Sequence, residues 1–192
     1  MTDEGTRARA GARRFVAALG VLMAAFVAGC APPAGPPVPT AVVSVVDDAD
    51  RAFMSQVAST WLYEIEVSRL AASRAVNPRV RSYAELLARE HAQANGELGG
   101  LMRLKGVAVP AGLPADKATK LQRLASLKPS NEFDVGYVRV LGVEDHRAAI
   151  GRFEQAQREV RDRDLRRWID KTLPRLRSQL AAAQNLMGTL AG

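Results

Sequence analysis

Two histidines are the residues of this chain best suited to chemistry, and both stand among apolar neighbours. Counted at about 100° per residue around a helix, Val80, Ala84, Leu87, Ala94, Leu98 and Met102 share one face, and His91 sits at its centre. Glu64, His146 and Gln179 hold the same position in three other segments of helical period. Two imidazoles and a carboxylate suit a mononuclear site for one transition metal ion (Zn, Fe or Cu), formed by His91, His146 and Glu64 with Gln179 or Asp145 at its margin. Imidazole binds metal in its neutral form, which an apolar setting favours. The same four residues can also satisfy one another without metal. Glu64 can accept from either histidine and Gln179 can bridge, giving a core polar network that fixes helix register. A di-iron oxidase is much less favoured, since it needs about four carboxylates and paired Glu-x-x-His units. Ala88 and Val143 occupy the positions three before the histidines.

Four helices must position this layer. Asp47, Asp48 and Asp50 supply caps and dipole-complementary charge for a first helix ending near Arg74. Relative to Glu64, its apolar face carries Phe53, Met54, Val57, Trp61, Ile65 and Ala71, and Glu66 points outward. Pro78 opens a second helix that runs to about Lys105, where Gly106 stops it. Residues 106–130 hold Val109-Pro110, Leu113-Pro114 and Lys128-Pro129 around a short amphipathic piece, Ala115 to Leu127. A link this long fits a crossover along the bundle rather than a tight turn. A third helix, about Asn131 to Val160, places Val135, Gly142, Ala149, Ile150, Phe153 and Val160 beside His146, with Arg139 as a misfit. A fourth, about Asp164 to Leu190, aligns Leu165, Trp168, Thr172, Leu176, Ala183 and Leu186 with Gln179, and Pro174 is expected to interrupt and kink it. The fold class is therefore all-α: a four-helix bundle with a long crossover, containing a short helix, between helices 2 and 3. At 1.5 Å per residue, Glu64 and His91 differ in height by about 4–5 Å and His146 and Gln179 are almost level, so a shared layer is feasible.

The chain opens with a basic stretch, an apolar run from Phe15 to Val27, and then Val27-Ala28-Gly29-Cys30. That order marks residues 1–29 as a secretory signal, and the run is shorter than the roughly 20 residues of a membrane span. Small residues ending in the sole cysteine resemble the bacterial lipobox, making Cys30 the lipidation site. Residues 30–46 follow as a Pro-rich tether and 47–192 as the bundle domain. Ala31, rather than Asp, after the cysteine implies an outer-membrane anchor with the domain in the periplasm. One cysteine also rules out an intramolecular disulfide.

The formal charge is +7, two units of which the leader carries. Few aromatics are interleaved with the basic residues, which argues against nucleic acid. A membrane partner through Cys30 is expected. A looser contact with an anionic surface or another envelope protein could use Arg158, Arg161, Arg163, Arg166, Arg167 and Arg177, although a solvated helical face is the preferred reading. No Gly-rich phosphate loop, Ser-His-acid pattern or zinc-protease helix occurs, so no catalytic residues are assigned and an enzyme is not favoured.

Several short pieces taken together resemble the bacterial envelope family called domain of unknown function 4142. They are Glu64-Ile65-Glu66 with Leu70-Ala71, then Val80, Tyr83-Ala84, Leu87 and Glu90-His91, then Phe133-Asp134, Tyr137, Asp145-His146 and Thr172-Leu173-Pro174. The resemblance spans about Asp50 to Leu186 and implies a ferritin-like, exported, often lipid-anchored domain without an assigned activity. Two departures matter. Gln179 stands where the resemblance implies a histidine, which tips the reading from metal toward the hydrogen-bonded network. The interval from Tyr137 to His146 is one residue longer than the family's, which a π-bulge would absorb.

Overall fold

The computed structural model describes residues 46–190. The leader, Cys30 and nearly all of the tether lie outside the described residues, so the lipidation site has no structural account. Among the described residues every regular element is helical: α1 (Asp48–Arg74), α2 (Pro78–Leu104), α3 (Ala115–Ser126), α4 (Asn131–Tyr137), a π-helical segment (Val138–Asp145), α5 (His146–Glu159) and α6 (Arg163–Leu190). Short polar residues start these helices by accepting the free N–H groups of the first turn. Asp47 accepts from Asp50 N at 2.8 Å, Asn77 from Arg79 N at 2.9 Å and Ser130 from Phe133 N at 3.1 Å.

α1 and α2 form one hairpin; α4, the π segment and α5 form a third rod that pairs with α6, and α2 packs on α6. Gly106, at φ 67°, turns the chain out of α2, and the crossover then runs the length of the bundle. Within it α3 lies against α1 with no fully buried residue, over an apolar hollow of about 350 Å³.

Each hairpin turn is held by a buried carboxylate from the opposite hairpin. Asp50, on α1, accepts from Arg161 N and Asp162 N at 3.1 and 2.8 Å in the α5–α6 turn. Asp134, on α4, accepts from Val76 N and Asn77 N at 3.3 and 2.7 Å in the α1–α2 turn. Asp162 in turn caps α6 through Asp164 N and Leu165 N, and its other oxygen meets Lys105 Nζ at 2.7 Å. Burial alone would raise the Asp162 carboxyl, but the Lys105 ammonium and the two N–H groups outweigh it and hold it below the usual carboxylate range. The carboxylates of Asp162 and Asp164 hold Lys105 above its usual range. A lowered carboxyl stabilises the fold above its unfolded-state value and loses that contribution as pH falls through the folded value. A raised ammonium loses its contribution only at strongly alkaline pH. Lys105→Met should therefore flatten the acid limb of a stability-versus-pH curve below about pH 4 while lowering stability at neutral pH, measured by urea denaturation.

The third rod carries the one departure from regular winding. In a regular helix counted back from His146, Arg139 would face inward. The π segment takes up one extra residue, so Phe133, Asp134, Tyr137, Val138, Leu141 and Gly142 are buried while Arg139 is exposed beside Glu144. The misfit at Arg139 is thereby corrected, and Val135 moves to a half-buried position. Gly142 is required here by close approach: a Cβ on it would lie 2.9 Å from Ala183 Cβ and 3.3 Å from the Tyr83 ring. Gly142→Ala should cost about 1–3 kcal/mol in chemical denaturation, since Ala183 is backbone-fixed and cannot yield.

α6 is not interrupted at Pro174, contrary to the sequence expectation, but runs continuously from Arg163 to Leu190. Pro174 is exposed, and so is Asp170, whose carbonyl loses its helical donor there and can turn to water. Inside the bundle the apolar core falls into two clusters. Along each rod the boundary between them falls where Glu64, His91, His146 and Gln179 stand: Trp61 and Val67 belong to different clusters, as do Leu87 and Ala94, Leu141 and Ala149, and Leu176 and Ala183.

Candidate functional site

The four polar residues of the sequence reading meet in the boundary layer. All are buried, with 2% exposure for each histidine and 4% for Glu64 and for Gln179. His91 Nδ1 lies 3.1 Å from Glu64 Oε2, although the approach is too oblique for a hydrogen bond of ordinary geometry. On the far side of the ring, His91 Nε2 is 3.4 Å from Gln179 Oε1. His146 Nε2 reaches the same oxygen at 3.2 Å, and its Nδ1 lies 2.7 Å from the Leu141 carbonyl. The imidazole centroids are 5.4 Å apart, and Trp61 stacks on His91 at 5.5 Å and 20°.

Local structure accounts for these positions. The π segment brings the Leu141 carbonyl within reach of the His146 ring five residues on. Tyr83 donates to the Gln179 carbonyl at 3.1 Å, fixing α6 against α2. Tyr137 donates to Ser68 at 3.1 Å just below the layer, and burial pushes both phenols well above their usual range.

Glu64 meets His91 at Nδ1, not at the side of the ring where the two Nε2 atoms converge, so it orients His91 instead of standing beside them. Asp145 is half-buried in the seam between α1 and the third rod, and burial together with the Glu64 charge raises its carboxyl. Among the described residues no three His, Cys, Asp or Glu side chains form a group that could hold a metal ion. What converges is two imidazoles and an amide. Glu90, absent from the sequence-derived site, joins it by accepting from Gln179 Nε2 at 2.6 Å. Its only signal in the sequence was adjacency to His91, which puts it roughly 100° around the helix, and only its length lets it reach.

A count of protons decides what this arrangement can do. The Leu141 carbonyl is an acceptor 2.7 Å from His146 Nδ1, so that nitrogen carries the ring hydrogen, whereas His91 Nδ1 stands 3.1 Å from Glu64 without a hydrogen bond of ordinary geometry. A neutral imidazole has only one N–H, so His146 Nε2 is a lone pair facing the Gln179 carbonyl oxygen, and His91 Nε2 is another in the tautomer that keeps its hydrogen toward Glu64. Four nitrogen–oxygen contacts are thus served by two protons. Burial, and then the neighbouring His91, push the His146 ring below its usual range, which opposes making up the deficit with imidazolium. The donors fit a cation instead. At bond lengths of about 2.0–2.1 Å the edges of a tetrahedral site are about 3.3–3.4 Å, close to the Nε2–Oε1 separations. Each Nδ1 is backed by a carbonyl or carboxylate, the arrangement that orients metal-binding histidines.

The exposed arginines carry less toward a surface contact. Arg167 pairs with Asp164, Arg177 with Glu154 and Arg161 with Asp47, and Arg166 donates to the Val160 carbonyl.

The fold has solved counterparts. A DUF305 fragment from Deinococcus radiodurans superposes with a TM-score of 0.64 at 12% identity, covering 75% of this chain and 98% of that one. A DUF305 protein from Streptomyces coelicolor, described as a candidate secreted protein, superposes with a TM-score of 0.61 at 16% identity, covering 74% and 93%. At these identities the likeness concerns the helical fold alone. No curated protein matches the sequence. A family model, domain of unknown function (DUF4142), matches residues 36–186, and the chain therefore belongs to that family.

Proposed function

We propose that this chain is an exported, lipid-anchored envelope module that holds one transition-metal ion between His91, His146 and Gln179. The observation that carries the metal reading is the meeting of both Nε2 atoms with one amide oxygen, with His146 Nδ1 bonded to the Leu141 carbonyl and His91 Nδ1 set 3.1 Å from Glu64. Two imidazoles and a neutral oxygen suit Zn, Cu, Fe or Ni, and Glu64 and Glu90 balance the charge of a dication from just outside the donor set. When bound, such an ion supplies a Lewis-acidic centre shielded from water. Export and anchoring rest on the leader and on Cys30 in its lipobox context. The description of the Streptomyces neighbour agrees with export, and no helix of the described residues is long and apolar enough to cross a membrane.

One observation favours a second reading. The two Nε2 atoms 3.4 and 3.2 Å from the amide also suit that amide turned over and donating to both, which would set its oxygen against Glu90. That network needs no ion and makes the layer purely structural. The deciding experiment is elemental analysis of the full chain purified without chelator or affinity histidines. About one transition-metal ion per chain supports the first reading, and a folded metal-free chain that takes up none on titration overturns it. Incorporation of labelled fatty acid that is lost in Cys30→Ala tests the anchor, and equal labelling of both chains overturns it.

A further inference from the structure

None of Glu64, His91, His146 and Gln179 lines the apolar hollow of about 350 Å³ beneath α3. Its walls come from Val67 and Leu70 on α1, Leu124 on α3, Phe133 and Gly136 on α4, and Leu141 on the π segment. Leu127 and Val140 also border it, 48% and 42% exposed, two of the few large apolar side chains that the described residues leave in water. The Tyr137 hydroxyl is turned to Ser68, so water inside finds few partners, and a dry apolar space of this size suits an apolar guest. Gly136 helps keep the space open. It sits within α4, where glycine weakens a helix, yet a Cβ on it would meet nothing within 4 Å. Unlike Gly142, it answers no close approach.

The charges at the rim favour an anion. Lys120 and Arg123, one turn apart on α3, are exposed and make no ion pair among the described residues. The two rim acids have other neighbours. The Ser130 hydroxyl and a backbone N–H at the head of α4 hold the Glu132 carboxyl below its usual range. Asp145 lies toward Lys117, and both border the neighbouring polar cleft. α3 itself is lightly anchored: it begins at Pro114 without a side-chain cap and is the only described helix with no fully buried residue.

We propose that this hollow is a binding site for a fatty acid, its alkyl chain beneath α3 and its carboxylate against Lys120 and Arg123. Taking a methylene at about the volume of a water, roughly 30 Å³, the space holds about ten to twelve carbons. Each methylene that leaves water tightens binding about threefold to fourfold, so affinity rises with chain length until the hollow is full. A carboxylate suits the head because hydrogen bonds between two charged partners are about twice as strong as neutral ones. α3 serves as the flap through which the chain enters and leaves. The site shares none of the four residues of the polar layer, so it stands whether or not that layer holds metal.

The test is equilibrium dialysis of radiolabelled laurate, a twelve-carbon fatty acid, against the full chain in phosphatidylcholine nanodiscs, with empty nanodiscs as reference. About one saturable laurate per chain is expected, bound about tenfold or more tighter than octanoate. Gly136→Leu fills the hollow by about four carbons and should weaken laurate about tenfold or more while leaving octanoate within about threefold of the wild type. Leu124→Trp should do the same from the α3 side. Wild-type laurate affinity in both variants would overturn the hollow as the site. Lys120→Glu combined with Arg123→Glu should weaken laurate about tenfold and leave dodecanol unchanged. Dodecyltrimethylammonium bound as tightly as laurate by the wild type would overturn the anionic head. Saturable binding seen only in Cys30→Ala would make the chain's own lipid the occupant and overturn a free fatty acid. No binding above empty nanodiscs in either chain would overturn the site altogether. Circular dichroism checks that helix content is retained in every variant.

Discussion

His91→Ala should carry no bound metal where, on the metal reading proposed above, the wild-type chain should carry about one ion, because the substitution removes one of the two imidazole donors. Gln179→His should act in the opposite direction, replacing a weak amide oxygen by a third imidazole and tightening retention by about tenfold or more. Glu64→Gln should weaken retention by about 10–100-fold, since it orients His91 without replacing a donor. The same centre predicts a thermal effect. An ion present at about 100 times its Kd adds about 2.7 kcal/mol to stability. Stripping the ion with chelator should then lower Tm by about 5–10 °C in the wild type and leave His91→Ala unchanged. If the layer is a metal-free network, chelator shifts neither protein and Gln179→His only perturbs packing.

Asp50→Ala and Asp134→Ala should each cost about 3–5 kcal/mol in urea denaturation, the largest stability losses expected outside the apolar core. Each removes a buried charge-assisted acceptor and orphans two backbone N–H groups in a turn that belongs to the other hairpin. Asparagine at either position keeps one acceptor and should recover part of the loss. Asp116→Ala, on the exposed first turn of α3, serves as control and should fall within about 0.5 kcal/mol of wild type.

Much of this architecture was readable from residue spacing. Helix limits agree to within a few residues because the punctuation is chemical: Asp47, Asn77 and Ser130 cap, Pro78 starts and Gly106 ends. The convergence of Glu64, His91, His146 and Gln179 followed from period and height. The extra residue between Tyr137 and His146 pointed to a π-bulge, and the structure winds Val138–Asp145 as π-helix. What spacing could not reveal is which end of a side chain meets which partner. Whether Glu64 faces Nδ1 or Nε2 of His91 depends on ring orientation, which helical period does not encode. Glu90 and Lys105 act through long flexible reach. Asp50 reads as a dipole-complementary charge at a helix start, and its burial follows only once the α5–α6 turn is brought against it.

The crossed arrangement of Asp50 and Asp134 has a consequence for cooperativity. Neither hairpin owns all the acceptors its own turn requires, so melting either one strips two hydrogen bonds from the other. The halves should therefore protect their amides from hydrogen exchange with one shared free energy instead of two. A chain nicked within the crossover should reassemble into the native form, whereas either half alone should fray at its bend.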